Sequence, residues 1–356
     1  MHIDILDACN HTKQWCVVLD KFPRHLRDIY FSPEWVKLHR FDPNTRAIMF
    51  VCQDGSKIWI YPFLLGSISH VGHHRLDKTW RDIQTPYGYG GPLSNTQDAG
   101  FVTQAWSKFY SWCQDLDVVA EFVRLHPIIQ NEQWLDPDVR VIYDRHTVSL
   151  DFEELQYDKL PFDSNTRNML ARANKLGVRV SKSLDRESFD QFVVMYGSAM
   201  KRLEADEYLH FTQKYFQDLY KLVQDNGFLL LAEHETELIA AAIFLKGSNY
   251  LHYHLASSNP DRMVSGANNQ LLFHASNIGY KYGLKGLHLG GGRTTDPKDT
   301  LLRFKQSMST HTHRYLIGKR IYKPKIYTSL RDLWRQYYPS LIPRYGDRLL
   351  CYRYGS

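Results

Sequence analysis

Hydrophobic and polar residues alternate through the first part of the chain in the pattern that is typical of β-strands. Such alternation over residues 47–52 and 57–63, on either side of Asp54-Gly55, predicts two strands joined by a tight hairpin turn, because an Asp-Gly pair readily adopts the backbone of that turn. The other elements predicted in this half are a helix over 101–114 and buried strands over 118–125 and 147–152.

A second group of elements begins near residue 163. Asp163 or Ser164 can cap a basic helix predicted over 165–176, and Gly177 follows where a helix end often needs left-handed backbone. Later patterns predict helices over 187–202, 212–223 and 267–282, strands over 228–233, 238–245, 250–256 and 287–289, a turn at Asn226-Gly227 and a helix end at Gly283. This order predicts a mixed α/β layer, and its likeness to the first half indicates a duplicated architecture.

The composition supports a folded protein of two or three domains. The chain has 356 residues, of which 43% are apolar and 14% aromatic, enough to form hydrophobic cores. The longest apolar run, over residues 238–245, is eight residues long, whereas a membrane-spanning helix needs about 20. The first residues show no basic flank followed by an apolar stretch. We therefore expect a soluble, cytoplasmic protein.

The cysteines and histidines do not form the patterns of disulfide or metal sites. The five cysteines are odd in number, scattered and never in C-x-x-C spacing, so we expect free thiols. The 17 histidines include no H-E-x-x-H motif. His73-His74 lie in a predicted turn, and His311 and His313 alternate as they would on one face of a strand. We predict no metal site.

The net charge of +6 is unevenly distributed. Residues 1–150 carry a net charge of −2, whereas residues 301–356 carry 12 basic and 2 acidic side chains, interleaved with aromatic residues. A basic surface with aromatic neighbours suits phosphate-rich partners such as RNA, nucleotide diphosphates or an anionic membrane surface. The alternative is a solvated basic segment that keeps the protein soluble, and the sequence leaves both open.

Two glycine-rich stretches predict loops of unusual backbone shape. TPYGYGGP, at residues 85–92, offers a wall of backbone groups with Tyr87 and Tyr89 as candidates for stacking or sugar contacts. Gly290, Gly291 and Gly292 follow a short predicted strand, so their N–H groups can approach a ligand closely, and Arg293 can pair with a phosphate or carboxylate. The alternative for both loops is a purely structural turn.

Four segments together give the sequence a resemblance to a known family. They are TPYGYGGP (85–92), RNMLARANKLGVRV (167–180), YGSAMKRLEADEYLHF (196–211), and the block from YLHYHLAS (250–257) through NNQLLFHASNIGYKYGLKGLHLGGG (268–292) to DTLLRFKQSMS (299–309). The most specific piece is HLGGG followed by D-x-L-x-x-F-K. With this pattern the chain resembles the FemAB-like and BioF2-like proteins of the GNAT acyltransferase superfamily, among which the Fem-type peptidoglycan aminoacyltransferases are the nearest characterised relatives.

The resemblance implies an α/β fold of tandem GNAT-like domains, each a mixed sheet flanked by helices. We expect an N-terminal GNAT-like domain over residues 1–160 and a C-terminal GNAT-like domain with the catalytic cleft over 161–320. A basic, aromatic-rich tail would follow over 321–356.

The resemblance also implies transfer of an acyl group to an amine, with no tightly bound cofactor. In Fem-type enzymes the donor is an aminoacyl-tRNA and the acceptor is a peptidoglycan precursor, and relatives with this pattern resemble modifiers of envelope polysaccharide. The expected partners are therefore aminoacyl-tRNA and a nucleotide- or lipid-linked envelope precursor, with peripheral contact at the inner face of the membrane.

The loop before the predicted helix 267–282 bears on the donor. Acyl-CoA enzymes of the superfamily bind pyrophosphate with a Q/R-x-x-G-x-G/A loop at a helix N-terminus. The stretch from Arg262 to Asn268 is one residue out of register with that pattern and lacks its final glycine, which favours another donor. Two alternatives stay open: an acyl-CoA-dependent N-acetyltransferase acting on an amino sugar or small metabolite, and a non-catalytic tandem-GNAT protein that binds RNA or an envelope precursor.

Lys305 and Tyr253 are the candidate catalytic residues. An activated acyl donor needs a neutral amine near its carbonyl and a donor to the developing oxyanion. Lys305 can stabilise that oxyanion or assist proton transfer, beside Phe304, which would shape the acyl pocket. Tyr253 can protonate or orient the leaving group. His252 and His254 point to the opposite face of the predicted strand, and could line the cleft instead. The alternatives are a surface lysine and a core tyrosine.

Further candidates concern binding. Lys37 and Arg202 match family positions that resemble phosphate-binding residues for the acceptor or the tRNA end. Asn268 opens the helix expected at the donor site, and the basic helix 165–176 either docks nucleic acid or forms a solvated face. Asp299 is predicted to cap the helical segment that presents Lys305.

Overall fold

The computed structural model describes residues 1–40, 42–153, 162–262 and 264–355. The chain divides into two compact units. The first contains Met1–Leu26, Tyr30–Asp144 and Tyr315–Ser356, and the second contains Arg27–Ile29 and Arg145–Arg314. The domain boundary predicted at 160/161 lies in the segment 154–161, outside the described residues, so the predicted domain bounds stay a prediction.

Each predicted strand and helix overlaps an observed one, and several further elements, among them the first strand and the last two helices, have no counterpart among the predictions. The strands are β1 (His2–Asp7), β2 (Arg46–Asp54), β3 (Lys57–Val71), β4 (His74–Gln84), β5 (Leu93–Ser94), β6 (Val118–Arg124), β7 (Arg140–Asp151), β8 (Arg179–Ser183), β9 (Gly227–His234), β10 (Glu237–Lys246), β11 (Tyr250–Ser258), β12 (Gly286–Gly291) and β13 (Thr312–Ile321). The α-helices are α1 (Thr12–Asp20), α2 (Pro33–Leu38), α3 (Ala99–Asp115), α4 (Ser164–Lys175), α5 (Arg186–Arg202), α6 (Gln213–Asn226), α7 (Ala267–Lys281), α8 (Thr300–Gln306), α9 (Pro324–Tyr337) and α10 (Ile342–Tyr345).

The first unit is built on a mixed sheet in the order β1-β2-β3-β4-β6-β13, with β5 added beside β3. All neighbours along that order are antiparallel except β4 and β6, which are parallel. The predicted hairpin joins β2 to β3, and Gly55 in its loop has a φ of +57°. A core rich in aromatic side chains, with Trp59, Tyr61 and Phe109 fully buried, packs α3 against this sheet.

The tail predicted over 321–356 supplies α9 and α10 to the first unit. Its arginines are used within that unit: the Arg353 guanidinium donates to both carboxylate oxygens of Asp82, over 2.9 and 2.7 Å, and to the Ser67 carbonyl over 2.8 Å. Arg348 donates to the Tyr354 hydroxyl over 2.7 Å. Neither of the two sequence interpretations, a phosphate-binding surface or a solvated segment, anticipated these contacts.

The second unit contains a sheet in the order β7-β12-β11-β10-β9-β8, in which β11 and β12 are parallel and the other neighbours along that order are antiparallel. Its core lies between this sheet and α7, and includes Leu251, Leu271 and Leu287. Asp163 caps α4 by accepting from the Thr166 N–H over 2.6 Å, and Gly177 has a φ of +77°, both as predicted. Mixed sheets flanked by helices in both units confirm the predicted fold class.

The turn predicted at Asn226-Gly227 is wrong, because α6 ends at Asn226 and β9 begins at Gly227. Gly227 has an extended backbone, with a φ of −173°, that any residue can adopt. However, a Cβ at this position would lie 2.3 Å from the Phe244 carbonyl oxygen. Glycine is required here by the close approach of β10 and not by turn geometry.

Replacing Gly227 by alanine should therefore destabilise the protein by about 1–3 kcal/mol, the usual cost of overpacking a closely packed site. Gly197, within α5, is the matched control, since a Cβ there meets no atom within 4 Å and Gly197→Ala should stabilise the helix by roughly 0.5–1 kcal/mol. Urea unfolding of the two variants measures both effects. Equal unfolding midpoints would contradict the packing argument.

Within the described residues, every helix is too short or too polar to cross a lipid bilayer.

Candidate functional site

The parallel pair β11–β12 of the second unit comes apart after three residues. Tyr250, Leu251 and His252 pair with Gly286, Leu287 and His288. Beyond these pairs β11 continues beside β10, up to the pairing of Ser258 with Ala240, while β12 continues beside β7. A gap therefore opens between the ends of β11 and β12.

The parallel pair of the first unit stays closed. β4 and β6 pair through Gln84 and Phe122. The Thr85 N–H then donates to the Phe122 carbonyl over 3.0 Å, and the Arg124 N–H donates to the Thr85 hydroxyl over 2.7 Å. The first unit thus has no comparable gap between its described parallel strands. A ligand site between parallel strands is therefore expected in the second unit.

Helix α8 carries Lys305 to the gap side of β12. Asp299 caps this helix as predicted, since its carboxylate accepts from the Leu301 and Leu302 N–H groups, each over 2.9 Å. The same carboxylate accepts from the Arg293 and Thr294 N–H groups over 3.1 and 3.0 Å. One side chain therefore fixes both the start of α8 and the loop that follows β12.

Lys305 is a buried lysine. Its side chain is 6% exposed, and its Nζ donates to the Gly291 carbonyl over 2.7 Å. Burial lowers the pKa of Lys305 to about 7; the Asp299 carboxylate opposes this effect and the Arg145 guanidinium adds to it. The interpretation of Lys305 as a surface lysine is therefore wrong, and its amine exchanges a proton near neutral pH.

Tyr253 is the first residue of β11 beyond the paired segment. Lys305 Nζ lies 5.7 Å from the centre of the Tyr253 ring, which also lies 5.5 Å from the Phe244 ring. Burial raises the pKa of the Tyr253 hydroxyl above its ordinary value, so the phenol keeps its proton at neutral pH. Phe304, next to Lys305, packs partly buried against the same core. The structure thus brings Lys305 and Tyr253 together where the strands part.

The glycine turn, Gly290–Gly292 at the end of β12, is shaped by protein contacts. Gly290 has a φ of +74°, in the left-handed region that favours glycine. A Cβ at Gly291 would lie 2.9 Å from Arg145 Cδ, and one at Gly292 would lie 2.6 Å from an Asp299 carboxylate oxygen. These glycines permit close approach of neighbouring side chains, while their carbonyls bind Lys305 and Arg145. Arg293 is exposed.

His252 and His254 have partners of their own within the second unit. His252 Nε2 lies 2.9 Å from an Asp28 carboxylate oxygen, and both side chains are buried. His254 Nε2 lies 3.0 Å from the Tyr215 hydroxyl on α6. Because of strand alternation these imidazoles lie on the other face of β11 from Tyr253.

Arg202 and Asn268 lie by a second feature of this unit, an open groove of about 1040 Å³ along α5. Arg202, in the last turn of α5, and Ser258, at the end of β11, line the groove. The Ser258 hydroxyl is hydrogen bonded to the Asn268 side chain, at 3.1–3.2 Å. Neither Lys305 nor Tyr253 is among the lining residues, so these binding candidates are not brought directly to the lysine.

The remaining candidates belong to the first unit. Lys37 is exposed at the end of α2. Tyr87 is partly buried, and its ring lies 6.2 Å from that of His39. Tyr89 is 9% exposed and packs edge-on against Tyr30 and Tyr315, so little of its surface remains for a ligand.

Part of this sequence and its fold are similar to known proteins. Residues 162–306, which include β11, α7, β12 and α8, match the family model described as acetyltransferase (GNAT) domain. This part of the chain is therefore similar to GNAT acetyltransferase domains. No curated protein matches the sequence significantly.

Solved structures extend the likeness beyond the GNAT domain. The crystal structure of FemX is 13% identical, with a TM-score of 0.66 over 92% of this chain and 99% of that one. L-PGS from Bacillus licheniformis is 10% identical, with a TM-score of 0.53 over 80% and 87%. A tandem GNAT protein from the clavulanic acid biosynthesis pathway is 10% identical, with a TM-score of 0.51 over 91% and 99%. The fold is therefore FemAB-like, of the tandem GNAT kind. The acyltransferase activity rests on the match of residues 162–306 to the acetyltransferase (GNAT) domain model.

Sequence reasoning missed two residues beside this site, Arg145 and Asp28. Neither lies in a recognisable motif, and each meets its partner only through the fold: Arg145 reaches Gly292, and Asp28 reaches His252. Both residues lie outside every predicted element, so no local signal reveals such distant contacts.

Proposed function

We propose that the protein transfers an aminoacyl group from aminoacyl-tRNA to an amine of a cell-envelope precursor, either of peptidoglycan or of a surface polysaccharide, and that the reaction takes place at Lys305 and Tyr253. The observation that carries this proposal is the buried Lys305 amine, with a pKa near 7, placed beside Tyr253 where β11 and β12 part. Burial of a lysine amine costs free energy and contributes little to packing. A buried lysine with a lowered pKa is therefore a candidate functional residue.

The proposed chemistry is aminolysis of an ester. The acceptor nitrogen forms a bond to the acyl carbon, the ester carbon–oxygen bond breaks, and the proton lost by the amine ends on the departing ribose oxygen. In this scheme the Lys305 ammonium stabilises the oxyanion that develops on the carbonyl. With a pKa near 7, the same amine also exchanges a proton readily at neutral pH.

Tyr253 has a complementary role in this scheme. Its phenol remains protonated at neutral pH because burial raises its pKa. A protonated phenol beside the reacting carbonyl can donate a hydrogen bond to the leaving oxygen as the carbon–oxygen bond breaks.

The packing of α4 supports a donor other than acyl-CoA. Gly266, the N-cap of α7, occupies the place of the loop that binds pyrophosphate in acyl-CoA enzymes. A Cβ there would lie 2.2 Å from the Met169 carbonyl oxygen of α4. Gln270, in the first turn of α7, donates to the Leu170 carbonyl and the Asn174 side chain over 3.1 and 2.7 Å. Because α4 packs over the start of α7, little space remains there for a pyrophosphate.

The acceptor proposal is supported by the FemAB-like fold and by Arg202 in the groove along α5. The Fem-type resemblance points to an envelope precursor, and Arg202 in the groove along α5 suits a phosphate of a nucleotide- or lipid-linked acceptor. Lys37 is the corresponding candidate in the first unit. Contact with the inner face of the membrane would follow from a lipid-linked acceptor.

An acyl-CoA-dependent N-acetyltransferase acting on an amino sugar or small metabolite is the second candidate. The family model that matches residues 162–306 is described as an acetyltransferase domain, and this observation favours it. The two candidates share the chemistry at Lys305 and differ in the carrier of the acyl group.

Donor binding separates these candidates. We expect charged bulk tRNA to bind with an affinity that falls as salt rises, because phosphate contacts release counterions, yet to remain measurable at physiological salt. Acetyl-CoA should give no saturable binding, because α4 covers the start of α7. Fluorescence anisotropy with each donor measures both, and mass spectrometry of amide products formed with muramyl-peptide and amino-sugar acceptors tests turnover. Saturable acetyl-CoA binding together with acetyl transfer would replace the proposal by the second candidate.

A further inference from the structure

Arg145 lies on β7 at the start of the main segment of the second unit. Its Nη1 donates to the Gly292 carbonyl over 2.9 Å. A Cβ at Gly291 would lie only 2.9 Å from its Cδ, closer than Cβ atoms normally approach other atoms. The side chain therefore contacts the glycine turn by both its aliphatic part and its guanidinium.

Two cationic side chains hold two successive carbonyls of this turn. Lys305 binds the Gly291 carbonyl from α8, and Arg145 binds the Gly292 carbonyl from β7. Gly290, with its left-handed backbone, lies one residue before them, where the pairing of β12 with β7 shifts its register. The position of the Gly291 carbonyl, and with it the anchor of the Lys305 amine, depends on both contacts.

We propose that Arg145 is a positioning residue of the transfer site: it fixes the glycine turn from the β7 side so that the Gly291 carbonyl holds the Lys305 amine beside Tyr253. This inference rests on the proposed function of Lys305. A guanidinium suits the role because its fork of fixed N–H groups defines a direction, which the point charge of an ammonium does not.

The charge of Arg145 acts on the same amine. The ionisable groups around Lys305 are Arg145 from β7, Tyr253 from β11 and Asp299 at the start of α8, while β12 contributes the Gly291 carbonyl. Arg303, on α8 itself, is exposed. Asp299 favours the ammonium and Arg145 disfavours it. Loss of the Arg145 cation should therefore raise the pH at which Lys305 gives up its proton.

The test compares Arg145→Met and Arg145→Lys with Arg303→Met, a matched loss of one exposed arginine. We expect Arg145→Met to move the pH–rate profile of transfer upward by about one pH unit and to lower kcat roughly ten- to hundredfold through misplacement of the amine. Arg145→Lys should keep the profile close to that of the wild type but lower kcat, because its ammonium lacks the fork. Arg303→Met should change neither.

A second readout does not depend on activity. Reductive ¹³C-methylation and NMR titration follow the Lys305 amine directly, with the signal assigned by its loss in Lys305→Arg. An unchanged titration and an unchanged kcat in both Arg145 variants would overturn the inference even if Lys305 proves essential. If Lys305 proves dispensable for transfer, the proposed function fails, while the titration still decides whether Arg145 tunes that amine. Should Arg145→Met not fold, Arg145→Lys carries the kcat comparison.

Discussion

Replacement of Lys305 by methionine will lower the rate of acyl transfer by about 10²- to 10³-fold, the usual cost of removing one preorganised donor to an oxyanion. Methionine approximates the length of the lysine stem and suits its buried surroundings, so the fold should survive. The loss should appear in kcat more than in KM, because the ammonium stabilises charge that develops only in the transition state. Single-turnover kinetics with a charged donor and an amine acceptor measure it.

The matched control for this variant is Lys298→Met, which removes an exposed lysine from the loop before α8 and should leave the rate unchanged. A full rate in Lys305→Met would remove this residue from the chemistry. The result expected for a non-catalytic binding protein is different: the wild type would show no turnover, and Lys305→Met would bind donor and acceptor as well as the wild type does.

Lys305 also links folding stability to pH. The pKa of this buried amine is about 7 in the folded protein against an ordinary value of 10.5. Between these values the unfolded chain binds more protons than the folded one, so the Lys305 contribution should make the protein more stable as pH rises from about 7 to 10.5. Lys305→Met should lack this rise, which denaturant unfolding at several pH values detects without any substrate.

Replacement of Asp82 by alanine will destabilise the first unit by about 3–5 kcal/mol, the typical cost of leaving one partner of a buried ion pair without its counter-charge. Asp82 is fully buried, and both of its carboxylate oxygens accept from the Arg353 guanidinium. Its removal leaves a largely buried cation that retains only the Ser67 carbonyl among these contacts. Chemical denaturation of the full-length chain, followed by intrinsic fluorescence, measures the change.

The Arg186–Asp190 pair on the exposed face of α5 provides the control. Asp190→Ala removes a solvated i, i+4 contact and should cost no more than about 0.5 kcal/mol. The double variant Asp82→Ala/Arg353→Ala separates the ion pair from general packing, since it should be more stable than the sum of the two single losses predicts. Equal losses from Asp82→Ala and Asp190→Ala would contradict the assignment.

Local patterns predict much of this structure because their causes are local. The Asp54-Gly55 hairpin, the Asp163 and Asp299 caps and the left-handed Gly177 each depend on a few neighbouring residues, so their signals lie in the sequence itself. Lys305 is a candidate through a family resemblance, and its D-x-L-x-x-F-K spacing places it on the helix that Asp299 begins. The spacing alone does not predict that Lys305 is buried, and burial is what lowers its pKa.

The features that the sequence does not reveal depend on distant contacts. The sequence predicts a turn at Gly227. The structure instead requires glycine there because the Phe244 carbonyl of the neighbouring strand leaves no room for a Cβ. Arg353 reads as one more charge of a basic tail, whereas its partner Asp82 lies 271 positions earlier in the chain. Arg145 likewise meets its glycine turn 147 positions later. Such pairs form only when the topology is complete.

The discontinuous make-up of the first unit has a consequence for synthesis on the ribosome. That unit needs residues 315–355, which are translated after all of the second unit. Domains generally fold as units, in the order in which they emerge. The second unit can therefore complete its fold while the first still lacks β13 and Arg353. The first unit begins earlier in the chain but is completed later. Chaperones would meet the incomplete sheet of the first unit during this interval.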